Sequence, residues 1–233
     1  MVDRLLKHIK FHYLNEKIAF LVFWGIVLSI VLINHSGILN RIFEIEIYIG
    51  NYGDVFLAVL IYLLFAGIEG AYSSLPHLMA FGATRGDYFR GRLVFFILLS
   101  LIMSLLVLLT IGLEYLMTGG VAIFLEESVD SLSYMTLFFF QTAACIMTGA
   151  IFSLIGSLFY SKGKTYTFTF FLVIILVAVG AGLRAENVFS FIINSLLFFH
   201  NLTVNWSSIL LMGIVSAVIF GLEYLVIKST EPR

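Results

Sequence analysis

Residues 93–113 read Leu-Val-Phe-Phe-Ile-Leu-Leu-Ser-Leu-Ile-Met-Ser-Leu-Leu-Val-Leu-Leu-Thr-Ile-Gly-Leu, without one charge. About 20 such residues, rising about 1.5 Å each, cross the hydrocarbon core of a bilayer as a helix. The run therefore predicts a membrane span. Working outward from it, segments 17–33, 55–73, 134–160, 166–183 and 207–227 have the same character. Of the 233 residues, 61% are apolar and 12% charged, whereas an ordinary soluble domain carries about 25% charged residues. A mean hydropathy of +1.07 agrees. So few charges cannot solvate a globule, and lipid must cover much of the exterior. The expected fold class is all-α: one transmembrane domain over residues 1–233, with six spans.

Orientation follows from the cations. If the N-terminus is inside, Arg4, Lys7, Lys10, Lys17, Arg85, Arg90, Arg92, Lys162, Lys164, Lys228 and Arg233 all fall inside. Of the 13 Lys and Arg residues, only Arg41 and Arg184 are left outside. Cytoplasmic loops carry such an excess of Lys and Arg, so both termini are expected in the cytoplasm and the protein in the plasma membrane. The residues after Ile33 read Asn-His-Ser-Gly, without a small-x-small cleavage site, and the first span is expected to remain. The net charge of −1 points to no nucleic-acid partner. The single cysteine, Cys145, lies in an apolar run and reads as a small packing residue.

Two flanking segments depart from simple spanning. In residues 1–16, Val2, Leu5, Leu6, Ile9 and Tyr13 share one helical face, while Asp3, Arg4, Lys7, His8 and Lys10 fall mostly on the other. A basic amphipathic helix of this kind lies along the inner leaflet. Residues 188–199 are apolar but too few to cross, which predicts a re-entrant or interfacial helix on the outer face.

Within the spans, small residues recur every fourth position: Ala66-Gly70-Ser74, Gly149-Ser153-Ser157 and Gly213-Ala217-Gly221. In lipid, such stripes let helices pack closely, within one bundle or between two copies. Polar residues inside spans are costly and need a reason. Glu69 lies about 22 Å inward from Asp54 along its helix, and Glu223 lies near the inner end of the last span. Either can pair with Arg85, Arg90 or Arg92 and transmit movement, or can snorkel to the inner interface. Gln141, Thr142 and Thr148 suit hydrogen bonds to a neighbouring helix or the lining of a cavity.

The loop over residues 74–92 reads Ser-Leu-Pro-His-Leu-Met-Ala-Phe-Gly-Ala-Thr-Arg-Gly-Asp-Tyr-Phe-Arg-Gly-Arg. Pro76 can open a short helix and Gly82 can end it in the left-handed conformation. Thr84 with Asp87 forms a capping pair that starts the helix running into the next span. Leu78, Met79 and Phe81 offer an apolar surface that a cytoplasmic protein can grip. At Gly82, Ala83, Thr84, Arg85, Tyr88 and Phe89 the chain resembles the permease subunits of ABC-2 type ATP-binding cassette exporters, whose loop after the second span follows Gly-[Val/Ala]-[Ser/Thr]-Arg-x-x-[Phe/Tyr]-Phe. The layout of spans, N-terminal helix and re-entrant segment is similar over the whole chain. This resemblance implies that residues 74–92 form a coupling helix docked on a separate ATPase through Leu78, Met79, Phe81, Gly82, Thr84, Arg85 and Tyr88. It also implies a second permease chain, as homodimer or heterodimer. No cofactor is then expected on this chain, since ATP and magnesium belong to the partner. The cargo classes it implies are peptides, lipids and amphipathic drug-like molecules.

Rival classes are weaker. Gly163-Lys164-Thr165 imitates the end of a P-loop, but the earlier glycine would fall at Leu158. No catalytic residues are assigned: there is no His-Glu-x-x-His, and His8, His12, His35, His77 and His200 are all placed outside the spans as surface residues. Glu126-Glu127 lacks the arginine that a prenyl-protein endopeptidase pairs with it. Nor is a metal site expected. A non-transporting accessory or immunity protein shares the composition and topology, and only the coupling-loop pattern argues against it.

Overall fold

A computed structural model describes residues 2–35, 52–80, 82–117, 131–163 and 206–229. Among these the structure is all-helical, with no strand. Helix α1 spans Val2–His35 and α2 spans Tyr52–Glu69. A π turn, Gly70–Ser74, joins α2 to the short helix α3, Leu75–Ala80. Then come α4, Arg85–Met117, α5, Ser131–Lys162, and α6, Trp206–Ser229. Five helical stretches, in α1, α2 with its continuation, α4, α5 and α6, are long and apolar enough to cross a membrane. This fits a multi-pass membrane protein. The span expected at 166–183 and the re-entrant segment at 188–199 lie outside the described residues.

A helix satisfies its own backbone polar groups, which lipid cannot do for it. These runs of Leu, Ile, Val and Phe accordingly stay helical despite many β-branched residues. Helix α1 is unbroken from Val2, so the described part of the amphipathic stretch continues directly into the first span.

Side-chain contacts fix the helix directions. His12 stacks on Phe95 with ring centroids 5.4 Å apart, and the Trp24 indole N–H points to the Met103 sulfur at 3.2 Å. Helices α1 and α4 therefore run parallel. Phe139 meets Trp206 near the start of α5 and α6, and Ser153 and Ser157 reach Glu223 near their ends. These two helices are parallel as well. Helix α4 runs antiparallel to α6, since Arg85 meets Lys228 and, further along α4, Arg92 meets Glu223.

Helix α5 is the centre, packed on α2, α4 and α6, whereas α1 leans mainly on α4. Gly67 and Gly156 allow the close approach of α2 and α5. A Cβ at Gly156 would lie 2.6 Å from the Ile68 carbonyl oxygen, and one at Gly67 would lie 2.8 Å from Phe152 Cβ. Neither glycine belongs to the four-residue stripes read from the sequence. Of those stripes, Gly70 faces the Arg92 guanidinium and Gly149 faces the Phe96 ring. Gly213 and Gly221 meet nothing among the described residues. They line an open apolar groove of about 860 Å³ between α4, α5 and α6.

Candidate functional site

The coupling-loop segment is built by local rules. Proline lacks an N–H and its ring crowds the carbonyl four residues back. The helix entering Pro76 meets this by widening into the π turn, a form common as a single insertion inside α-helices. Helix α3 then ends in a Schellman motif: Gly82 has φ +79°, its N–H donates to the Met79 carbonyl at 3.0 Å, and the Ala83 N–H donates to the Leu78 carbonyl at 3.0 Å. Ala83 also packs against the apolar cluster that holds Leu78, in keeping with the hydrophobic contact that accompanies this motif. Two residues later Thr84 caps α4. Its Oγ1 accepts from the Asp87 N–H at 3.1 Å, and its hydroxyl donates to Asp87 Oδ2 at 2.7 Å. Asp87 in the first turn also complements the helix dipole.

Beneath the loop lies a buried polar junction. Arg92 sits on α4, 1% exposed, with its Nε 3.7 Å from Oε1 of Glu223 on α6, itself 0% exposed. The guanidinium donates to the Tyr88 hydroxyl and to the Gly67 carbonyl. It also lies 5.2 Å from the Phe96 ring centroid and 5.8 Å from that of Tyr88. Tyr88 in turn donates to the Gly70 carbonyl at 2.9 Å. The π turn breaks the regular helical ladder, and these two side chains take up carbonyls at and just before it. Ser153 and Ser157 of α5 both donate to Glu223 Oε1. One guanidinium and one carboxylate thus tie α2, α4, α5 and α6 together. Above them Arg85 donates from Nη1 to the Lys228 carbonyl at 2.8 Å, placing a cation on the last turn of α6.

The residues named for docking fall into two groups. Leu78, 6% exposed, and Tyr88, 0% exposed, pack inward with Leu75 and Ile227. They do not form the open apolar surface expected of Leu78. Gly82 and Thr84 are exposed, Met79 and Arg85 are half-buried, and Phe81 lies outside the described residues. His77, Ala80 and Arg90 complete the exposed part. Of the two carboxylates, Glu223 is paired with Arg92 and does not snorkel, whereas Glu69 is exposed.

Two features differ from expectation. Arg92, counted as a loop cation, is buried inside α4; the signal was the Tyr88, Arg92 and Phe96 spacing, which puts all three on one helical face. His12, expected at the surface, is 3% exposed between Phe11, Tyr88 and Phe95. Thr142 bonds its own helix at the Phe138 carbonyl, 2.8 Å away, and lines the apolar groove, the cavity role being the one it takes of the two read from the sequence. Cys145 is buried, as a packing residue would be. Among the described residues, no group of His, Cys, Asp and Glu could hold a metal ion. Compared with protein-family models, curated proteins and solved structures, the chain matches none.

Proposed function

We propose that this chain is the membrane subunit of an ABC-2 type exporter, moving a peptide, lipid or amphipathic drug-like cargo with energy from a separate ATPase. The observation that carries this reading is the junction at the α3–α4 turn. A short helix closed by a Schellman motif stands at the end of the bundle, and the helix that follows it, capped by Thr84, carries Arg92, which with Glu223 binds α6, α2 and α5. A push on residues 75–90 would therefore move four helices as one lever. ATP binding by a partner would bias the bundle between two packings. In this reading the bundle has six spans, with both termini and residues 74–92 in the cytoplasm. The parallel course of α5 and α6 supports the sixth, because the chain between two parallel neighbours has to return across the bilayer. Two such chains with two ATPase chains would complete the transporter.

The test is purification from source cells in mild detergent. A co-purifying nucleotide-binding subunit is expected, and Arg85→Asp should abolish the stimulation of its ATP hydrolysis while membrane insertion persists. The burial of Leu78 and Tyr88 favours a second reading, an accessory or immunity protein with no ATPase to grip. That reading predicts purification without any nucleotide-binding chain.

A further inference from the structure

A second lateral crevice, of about 280 Å³, lies between α1 and α4. Its polar groups are all at one end. Glu16 and Lys17 stand there beside Tyr13, and the rest of the lining is apolar, including Phe20, Phe95, Leu98 and Ile102. Because α1 and α4 are parallel, the crevice runs from the charged end of the bundle towards the level where Trp24 meets Met103. Glu16 is buried and its Oε2 accepts from the Tyr62 hydroxyl at 3.3 Å, which stands the carboxylate against the inner wall. Lys17 is exposed at the mouth.

A carboxylate in such a place is costly without a cation. The nearby guanidinium of Arg92 is already committed to Glu223, and Glu69 adds a further negative charge within reach of Glu16. Among the described residues the crevice sets beside Glu16 only the exposed ammonium of Lys17 at its mouth, and beyond the two charges it offers an apolar floor.

We propose that this crevice holds an aminophospholipid from the leaflet at the charged end of the bundle, with its primary ammonium on Glu16, its phosphate on Lys17 and one acyl chain along Phe20, Phe95, Leu98 and Ile102. Charge complementarity of both signs selects this head group. A choline head has no N–H to donate, and a glycerol head brings no cation to Glu16. The site depends on membrane insertion alone and stands apart from any ATPase partner.

Native mass spectrometry of the delipidated full-length protein in mild detergent tests it, using phosphatidylethanolamine, phosphatidylcholine and phosphatidylglycerol with identical acyl chains. The ethanolamine lipid should bind at about tenfold lower concentration than either other, roughly 1.4 kcal/mol of preference. Glu16→Gln, which keeps an acceptor for Tyr62, should erase that preference, and Lys17→Ala should weaken all three lipids. Leu98→Trp changes an exposed position, leaves the charges in place, and should remove the adduct by filling the floor. Equal binding of the three lipids, a preference for phosphatidylglycerol, or an adduct that survives Leu98→Trp would overturn the proposal. So would a dimer peak that Leu98→Trp abolishes, because the crevice would then seat a second copy of the chain.

Discussion

Glu223 and Arg92 illustrate how much one buried pair can decide in a bundle whose buried side chains are mainly apolar. Each charge alone would be expensive to bury, and together they are tolerated because Ser153, Ser157, Tyr88 and the Gly67 carbonyl supply further bonds. Removing one partner of a buried pair leaves the other charge uncompensated, a loss of about 3–5 kcal/mol, whereas replacing both by apolar residues is often neutral or stabilising. Arg92→Leu and Glu223→Leu should therefore each lower the midpoint of thermal unfolding in one fixed detergent, and the double variant should recover most of it. Additive losses would show that the two side chains do not act as a pair. If the transport reading holds, the rescued double variant should still insert but fail to couple.

At the scale of elements, the α3–α4 turn rests on backbone conformations that only some residues adopt. Gly82, at φ +79°, lies in the left-handed region, where a residue with a Cβ pays about 1–2 kcal/mol. Gly82→Val should speed hydrogen exchange at the amides of positions 82 and 83, which bond the Met79 and Leu78 carbonyls, and leave the α5 and α6 cores protected. Unchanged exchange at those amides would mean the turn is held by other contacts. This turn was legible in the sequence because its determinants are local: Pro76, Gly82, Thr84 and Asp87 act within a few positions of one another. The spans were legible for a similar reason, since length and apolarity suffice. The π turn was not, because Pro76 alone does not say whether a helix stops or widens. Nor was the inward turn of Leu78, which depends on Ile227 of a helix far along the chain. The close-packing glycines, Gly67 and Gly156, carry no periodic signature, and only the α2–α5 contact picks them out.

For the whole molecule, the two helix directions make sidedness testable. His77 at the loop and Ser207 at the start of α6 are both exposed and stand at opposite ends of the bundle. In a Cys145→Ala background, His77→Cys should react with a membrane-impermeant maleimide only after permeabilisation, and Ser207→Cys should react in intact cells. The reverse pattern would remove the loop from the cytoplasm and with it the exporter reading. The excess of cations at one end of the bundle is the physical basis for this expectation.

The widened turn at Gly70–Ser74 has one more consequence. A helix advances about 100° per residue, and the π turn absorbs one position between Gly70 and Pro76, so one more would swing everything beyond it around the helix axis. The aim of residues 75–80 is thus encoded by counting as much as by chemistry: a further residue inserted after Ser73, beyond the one the widened turn already absorbs, would rotate Leu78 away from the cluster it shares with Ile227 while altering no side chain there. In this chain, a spacer of fixed length acts as the protractor that points the loop.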